Sequence, residues 1–373
     1  MDGFLKKQFV LVVSGVIWIL AGLAGCSPET DSNPVSQTFD RKAFLTFVAD
    51  SQVLPGYRQL SGQANLLSEA AVAFNNQPDQ IRLEEFQKAW TTTFHAWQAV
   101  AVFQFGPAGE SGTRKTLWEE VAIFPVRTAA IDAIIAGGAY NLNDFNRDTR
   151  GLMAMEYLLF SPEAVSLERL QAPSARNYLI SLTSHFQSSI ANVLSAWEKD
   201  YRSVFVSSLG TDIGSSTGLL YNDFVKSFEN LKNFKLGLPL GKRPGQTGPD
   251  STLSEARFSD QSFSGISLHF QSILRIWNGK SLQGSETGPG FKQYLENSEG
   301  GPELVAATLT QLGSIKAALD AIPRNASFNN MLKNADSRLE TAHTELQKLT
   351  RYLKSDMSSI LGISITYSSG DGD

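Results

Sequence analysis

Helical periodicity constrains this chain more tightly than any other feature of its sequence. Tyr57, Leu60, Ala64, Leu67, Ala71 and Phe74 recur at alternating spacings of three and four, which lines them up on one stripe of an amphipathic helix. Asn75, Asn76 and Pro78 interrupt the pattern, and Asp79 is placed to cap a second helix. That second stripe runs Leu83, Phe86, Trp90, Phe94, Trp97 and Ala101 until Gly106-Pro107 breaks it. Two long helices joined by so short a polar turn are expected to lie antiparallel. The pattern returns in a helix opened by Ser174 and carrying Tyr178, Leu182, Ile190, Leu194, Trp197 and Tyr201, and again through Phe224, Phe228, Leu231 and Phe234. Further helices are predicted around 263–277, 304–322 and 337–361. Strand-like alternation is confined to the tail Ile363-Ser-Ile365-Thr-Tyr367, just before the acidic end Asp371-Gly-Asp373. The expectation is an all-α fold of two bundle-like helical halves, residues 39–210 and 211–373, with a short strand-like tail. The Gly/Pro-rich segments 237–249 and 279–290 read as loops long enough to carry function.

The start of the chain has a different character. Lys6 and Lys7 precede an apolar run from Phe9 to Leu20, and small residues follow at once, which is the pattern of a secretory signal. The run is shorter than the ~20 apolar residues of a permanent span. Leu23-Ala24-Gly25-Cys26 resembles the bacterial lipobox, in which the cysteine is acylated and becomes the new N-terminus, so residues 1–26 are read as a lipoprotein signal peptide with Cys26 as the lipidation site. Cys26 is the sole cysteine, so no intramolecular disulfide is possible even in an oxidising compartment. Residues 27–38, with Pro28 and Pro34, read as a flexible tether. Ser27 stands where an aspartate would resemble an inner-membrane retention signal. The expected location is therefore the outer membrane facing the periplasm, with the membrane itself as partner through acyl chains. A formal charge of −5 argues against nucleic acid as a partner.

Glu156 is the most informative polar residue. It sits in Gly151-Leu-Met-Ala-Met-Glu156-Tyr-Leu-Leu-Phe160, where a helix places it on a face with Leu152, Leu159 and Phe160. A carboxylate in such surroundings needs a metal, a substrate cation or an arginine, and Arg127, Arg150 and Arg176 are the candidates for the last. Met153, three residues earlier, can meet Glu156 on the helix surface and offers either core packing or a soft ligand suited to Cu(I). His95, His185, His269 and His343 each stand alone on their helices, without H-E-x-x-H. Local sequence therefore gives no thermolysin-like zinc site, and His185 remains only a distant metal-ligand candidate. Gly279-Lys280-Ser281 and Gly241-Lys242-Arg243 lack the first glycine of a phosphate loop, with Leu274 and Leu236 in its place. A G-x-S-x-G nucleophile elbow is also missing.

Several collinear segments together resemble the imelysin family, also known as M75 peptidases. They are Trp97 through Phe103-Gln-Phe-Gly-Pro107, then Gly151-Leu-Met153-Ala-Met-Glu156, then Leu238-Pro-Leu-Gly-Lys242 with Ser254-Glu255-Ala-Arg-Phe-Ser259, and finally the tail from Ile363. The resemblance implies two helical halves with the hallmark helix facing a cleft, in exported proteins associated with iron acquisition or ligand binding. The second segment looks like the hallmark G-x-H-x-x-E with Met153 in place of the histidine, so only Gly151 and Glu156 carry over. The reading that follows is a non-enzymatic, lipid-anchored binding protein supporting metal uptake, iron foremost, together with a metal-transport partner. Gly151, Met153, Glu156, Arg127 and Arg176 would line its cleft, and Fe, Cu or Zn is the candidate ion. Two rivals stand beside it. One is a metallopeptidase with Glu156 as general base and ligands drawn from His185, His269 or Glu255; the other is a carbohydrate or peptide binder without metal, using aromatic stacking surfaces.

Overall fold

The six stripe residues of the first predicted helix are all buried in the helix Leu54–Asn76. The helix Gln80–Val100 buries Leu83, Phe86, Trp90, Phe94 and Trp97. This is a computed structural model that describes residues 39–111, 114–161 and 166–367; the signal segment, Cys26 and the tether lie outside the described residues. Asp79 caps the second helix as read, its side chain accepting from Arg82 N. Three contacts fix the relative direction of the two helices. An added Cβ on Gly56 would meet Val100, Thr93 Oγ1 donates to Gln63 O, and the rings of Phe74 and Phe86 lie 6.3 Å apart. One number rises as the other falls, so the pair is antiparallel.

A third helix, Pro173–Ala196, runs antiparallel along the opposite flank of 54–76. Arg58 pairs with Glu198, Gln187 donates to Asn65 and Arg176 donates to Asn75. Ser174 does not cap this helix. Ala172 occupies the cap position and Pro173 starts the first turn, where its missing N–H costs nothing and its fixed φ suits the helix; the Ser174 hydroxyl instead donates to Ile135 O.

The short helix Gly151–Phe160 lies against both 80–100 and 173–196, and it is apolar nearly all round, as a helix enclosed by others must be. Beyond residue 210, Ser216–Glu229 continues through a π-helical stretch Asn230–Gly237. Ser262–Asn278 packs on 80–100, with Ser272 donating to Gln98 O. Gly301–Asp320 pairs with Ser337–Arg351, where Gln311 donates to Glu345. The first helix, Arg41–Val48, packs far along the chain: Phe44 meets Phe291 edge-on and Phe39 stacks on Tyr294. The described residues on either side of position 210 thus share one contiguous apolar core. The all-α expectation holds. Among the described residues the β-type pairings are two isolated bridges, Ser111 with Arg114 and Lys280 with Thr287, and no described helix is long and apolar enough to cross a membrane.

The tail corrects one expectation. Its alternation is real, since Ile363 is buried and Ser364 exposed, yet no strand pairs with it. The side chain of Asn222 takes a strand's place, accepting from Thr366 N at 2.8 Å and donating to Ser364 O at 3.0 Å. An amide side chain offers the same donor and acceptor as a peptide unit, so it satisfies the tail backbone without a sheet. Asn222→Ala should cost about 1–2 kcal/mol and raise the hydrogen-exchange rate of the Thr366 amide well beyond that of amides in 54–76. Unchanged protection at Thr366 would refute this account of how the tail is held.

Candidate functional site

Gly151 opens the hallmark helix with φ +78°, and a Cβ there would stand 2.3 Å from Val121 O. Only glycine tolerates both the left-handed backbone and so close an approach. Five residues on, Glu156 is 2% exposed, as its helical face predicts. None of the arginines expected from the sequence meets the carboxylate. Its Oε1 accepts from Phe258 N, Ser259 N and Ser259 Oγ, each at 2.8 Å. Burial pushes the Glu156 carboxyl up to about 7, against the opposing pull of these hydrogen bonds and of the Arg257 guanidinium.

The loop that supplies the donors is built for the purpose. Ala256 and Asp260 both adopt positive φ, 52° and 54°, conformations uncommon for residues with a side chain. Asp260 anchors the loop by accepting from Phe328 N. The Phe258 ring sits 5.1 Å from that of Tyr157 and carries the Arg257 guanidinium 4.0 Å above it.

The arginines named from sequence as partners of Glu156 are engaged elsewhere, which corrects that expectation. Arg127 pairs at the surface with Asp148 at 3.0 Å and with Asn146. Arg176 donates to Asn75 and to the carbonyls of Leu170 and Gln171. Arg150, the residue before the hallmark helix, is 2% exposed and pairs with Glu120. The physical reason is that each has a nearer oxygen, while Glu156 lies where loop amides reach it first. Met153 is 2% exposed within the apolar core.

The ligand set considered for a peptidase is not assembled either. Glu255 forms a buried ion pair with Lys235 at 2.9 Å, and Gln98 also accepts from Lys235. His269 is hydrogen-bonded to Ser227. Burial, reinforced by Lys235, holds His269 well below the ordinary histidine range, so it is neutral at pH 7. His185 is half-buried on the 173–196 helix, away from these groups, and faces a cavity with Arg150. Among the described residues no three His, Cys, Asp or Glu side chains converge as metal ligands. A metal at the hallmark motif therefore does not fit the residues present: the soft ligand is packed into the core, and one oxygen of the carboxylate already has three donors.

Two cavities lie outside this clamp, neither of them lined by Glu156. One of about 320 Å³ is lined by Gln104, Trp118, Asp223, Lys226, Asn233 and Phe234 among others. Burial pushes Asp223 within it up to about 7. The larger, about 590 Å³, lies at the N-terminal end of the hallmark helix and is lined by Arg114, Glu120, Arg147, Arg150, His185 and Asn192 among others.

A family model described as Imelysin matches residues 53–353. The chain belongs to the imelysin family. Two solved structures share the fold across 89% of this chain at 17% identity. One, described as an iron-regulated protein A precursor from Parabacteroides distasonis ATCC 8503, is covered over 97% of its length with a TM-score of 0.71. The other is an imelysin-like protein from Psychrobacter arcticum 273-4, covered over 98% with a TM-score of 0.65. No curated protein matches this imelysin in sequence. Family membership makes sense of the Ser254–Ser259 segment, whose partner sequence reasoning missed. The segment is the clamp on Glu156, and the only signal for it in the sequence was its place among the family-like motifs.

Glu156 supplies a pH test with a definite sign. Its folded value, about 7, lies above the ordinary 4.5, so the folded state binds the extra proton between those values. The stability contributed by this group falls as pH rises through that window and is level above it. Glu156→Gln keeps an acceptor for the three donors and cannot ionise. In denaturant titrations it should match the parent at pH 5 and exceed it at pH 8; a variant weaker than the parent at pH 8 would show the ionised form to be favoured in the fold. Glu156→Ala leaves buried donors unpaired and should cost about 3 kcal/mol at pH 5. Gly151→Ala should cost at least about 3 kcal/mol from backbone strain and overlap, measured in the same titrations.

Proposed function

We propose that this chain is an exported, lipid-anchored imelysin that binds a ligand in support of metal uptake, iron in the first instance, and that it performs no chemistry on that ligand. The observation that carries the reading is the fate of the hallmark carboxylate. Glu156 accepts three hydrogen bonds under the 256–260 loop, which leaves it a clamp between distant parts of the chain and removes it as an exposed general base. The cavity of about 590 Å³ at the start of the same helix is of ligand size and sets charged and polar groups among apolar ones. The basic and apolar start of the chain and the lipobox-like Leu23–Cys26 segment support export and anchoring at the outer membrane, facing the periplasm. The likeness in fold to a protein described as iron-regulated supports the choice of iron.

Cells lacking the chain should take up radiolabelled iron more slowly under iron limitation. Restoring the parent chain, or Glu156→Gln, should rescue uptake, whereas Cys26→Ala should leave the protein out of the membrane fraction. Unaltered uptake of iron, copper, zinc and manganese in the deleted strain would remove the transport role.

A further inference from the structure

We propose that the larger cavity is an oxyanion site, and that it takes a small ligand bearing carboxylate or phosphate groups. The proposal rests on the binding reading above and names the ligand class for it. Among the described lining residues, Arg114, Arg147 and Arg150 carry guanidinium groups and Glu120 alone carries a carboxylate. Glu120 is shared: its Oε1 accepts from Arg147 Nε at 2.8 Å and from Lys115 N at 3.0 Å, while its other oxygen pairs with Arg150. Asp144 stands 3.9 Å from Arg150 and is one-third exposed, a weaker counter-charge outside the lining. Among the described residues the lining thus sets three cations against one carboxylate, with Asp144 beside it.

Those cations sit where an anion is most strongly attracted. The Arg150 side chain is 3% exposed, and its Nε is buried without a hydrogen-bond partner, as is Nδ1 of His185 in the same lining. Buried polar atoms left unpaired are costly, and a guanidinium in a low-dielectric wall interacts more strongly with an opposite charge than it would in water. The Nη atoms of Arg150 already donate to Glu120 and to Asp144 O, and Arg114 Nη2 to Pro107 O and Gly109 O, so these two groups act on an anion chiefly by their charge. Burial, with Arg150 nearby, holds His185 below the ordinary histidine range, so the ring is neutral at pH 7 and offers one donor and one acceptor. Asn192, exposed on the rim, adds an amide.

Ferric ion does not persist as a bare cation in neutral water; it travels complexed by oxyanion chelators. An anionic ferric chelate reconciles a metal-uptake role with a cavity walled by cations. No metal ligands need come from the protein, in keeping with the absence of a His, Cys, Asp or Glu triad among the described residues.

The test is calorimetric titration of the full chain in detergent with citrate, ferric citrate and inorganic phosphate, beside Arg147→Gln and Asn192→Asp. The second variant places a negative charge on an exposed rim position and leaves every ion pair intact, so it reads binding even if Arg147→Gln fails to fold. At least one of the three probes should bind the parent, about tenfold more weakly in each folded variant and more weakly as salt is raised. Preference for citrate would identify carboxylate as the recognised group, and preference for phosphate the other source. No binding of any probe, or binding untouched by both folded variants, overturns the proposal. Oxyanion binding in a protein whose deletion leaves iron uptake unchanged would uphold the site and remove the iron role; iron uptake without oxyanion binding would do the reverse.

Discussion

A carboxylate taken out of water has to be given hydrogen bonds, and the architecture around the hallmark helix answers that demand. Glu156 comes from a helix enclosed by 80–100 and 173–196, and its donors come from a loop 102 residues further along the chain. Placing Phe258 N and Ser259 N on the same oxygen needs a tight loop, and two residues with side chains adopt left-handed backbone to make it. Such strain persists only where the surroundings hold it. Here the Phe328 amide on Asp260 and the Tyr157 ring against Phe258 do the holding.

The interior carries other polar groups, and several are joined across helices that are distant in sequence. Lys235 reaches Glu255 and Gln98, Ser227 meets His269, and Tyr221 donates to Leu353 O. A buried ion pair adds little net stability against apolar residues of equal volume, but removing one member leaves a charge without a partner. Such pairs therefore act against wrong packings of the apolar stripes, which would otherwise slide or rotate past one another at small cost. The π-helical stretch 230–237 belongs to this design, since it carries both Lys232 and Lys235 inward.

Met153, at the position where the resemblance to the family leads one to expect a histidine, fits this arrangement. A thioether packs into an apolar core without needing a partner, whereas an imidazole there would need a hydrogen bond or a metal. Glu156 Oε1 takes its three hydrogen bonds from the loop. The polar, open surface lies at the other end of the same helix, where Arg150 directly precedes Gly151 and turns toward Glu120 and the cavity.

The helices were legible in the sequence because a helix buries every third or fourth residue, and that rule is local. Tyr57 to Phe74 and Leu83 to Trp97 announced their buried faces, Asp79 its cap, and Glu156 its buried position, before any long-range contact was known. The strand-like tail was misread for a related reason: alternation records which residues face inward, but not whether the partner is a strand or, as here, the amide of Asn222. The site was legible only in part. Gly151 and Glu156 stand in a recognisable motif, yet nothing local says that Phe258 and Ser259 would take the carboxylate, that Arg127 and Arg176 would be occupied elsewhere, or that Arg147, Arg150 and Glu120 would share a cavity with His185. Those outcomes depend on which charged groups are brought within about 3 Å of each other, and distances of that kind are set by the packing of whole helices, which no spacing along the chain encodes.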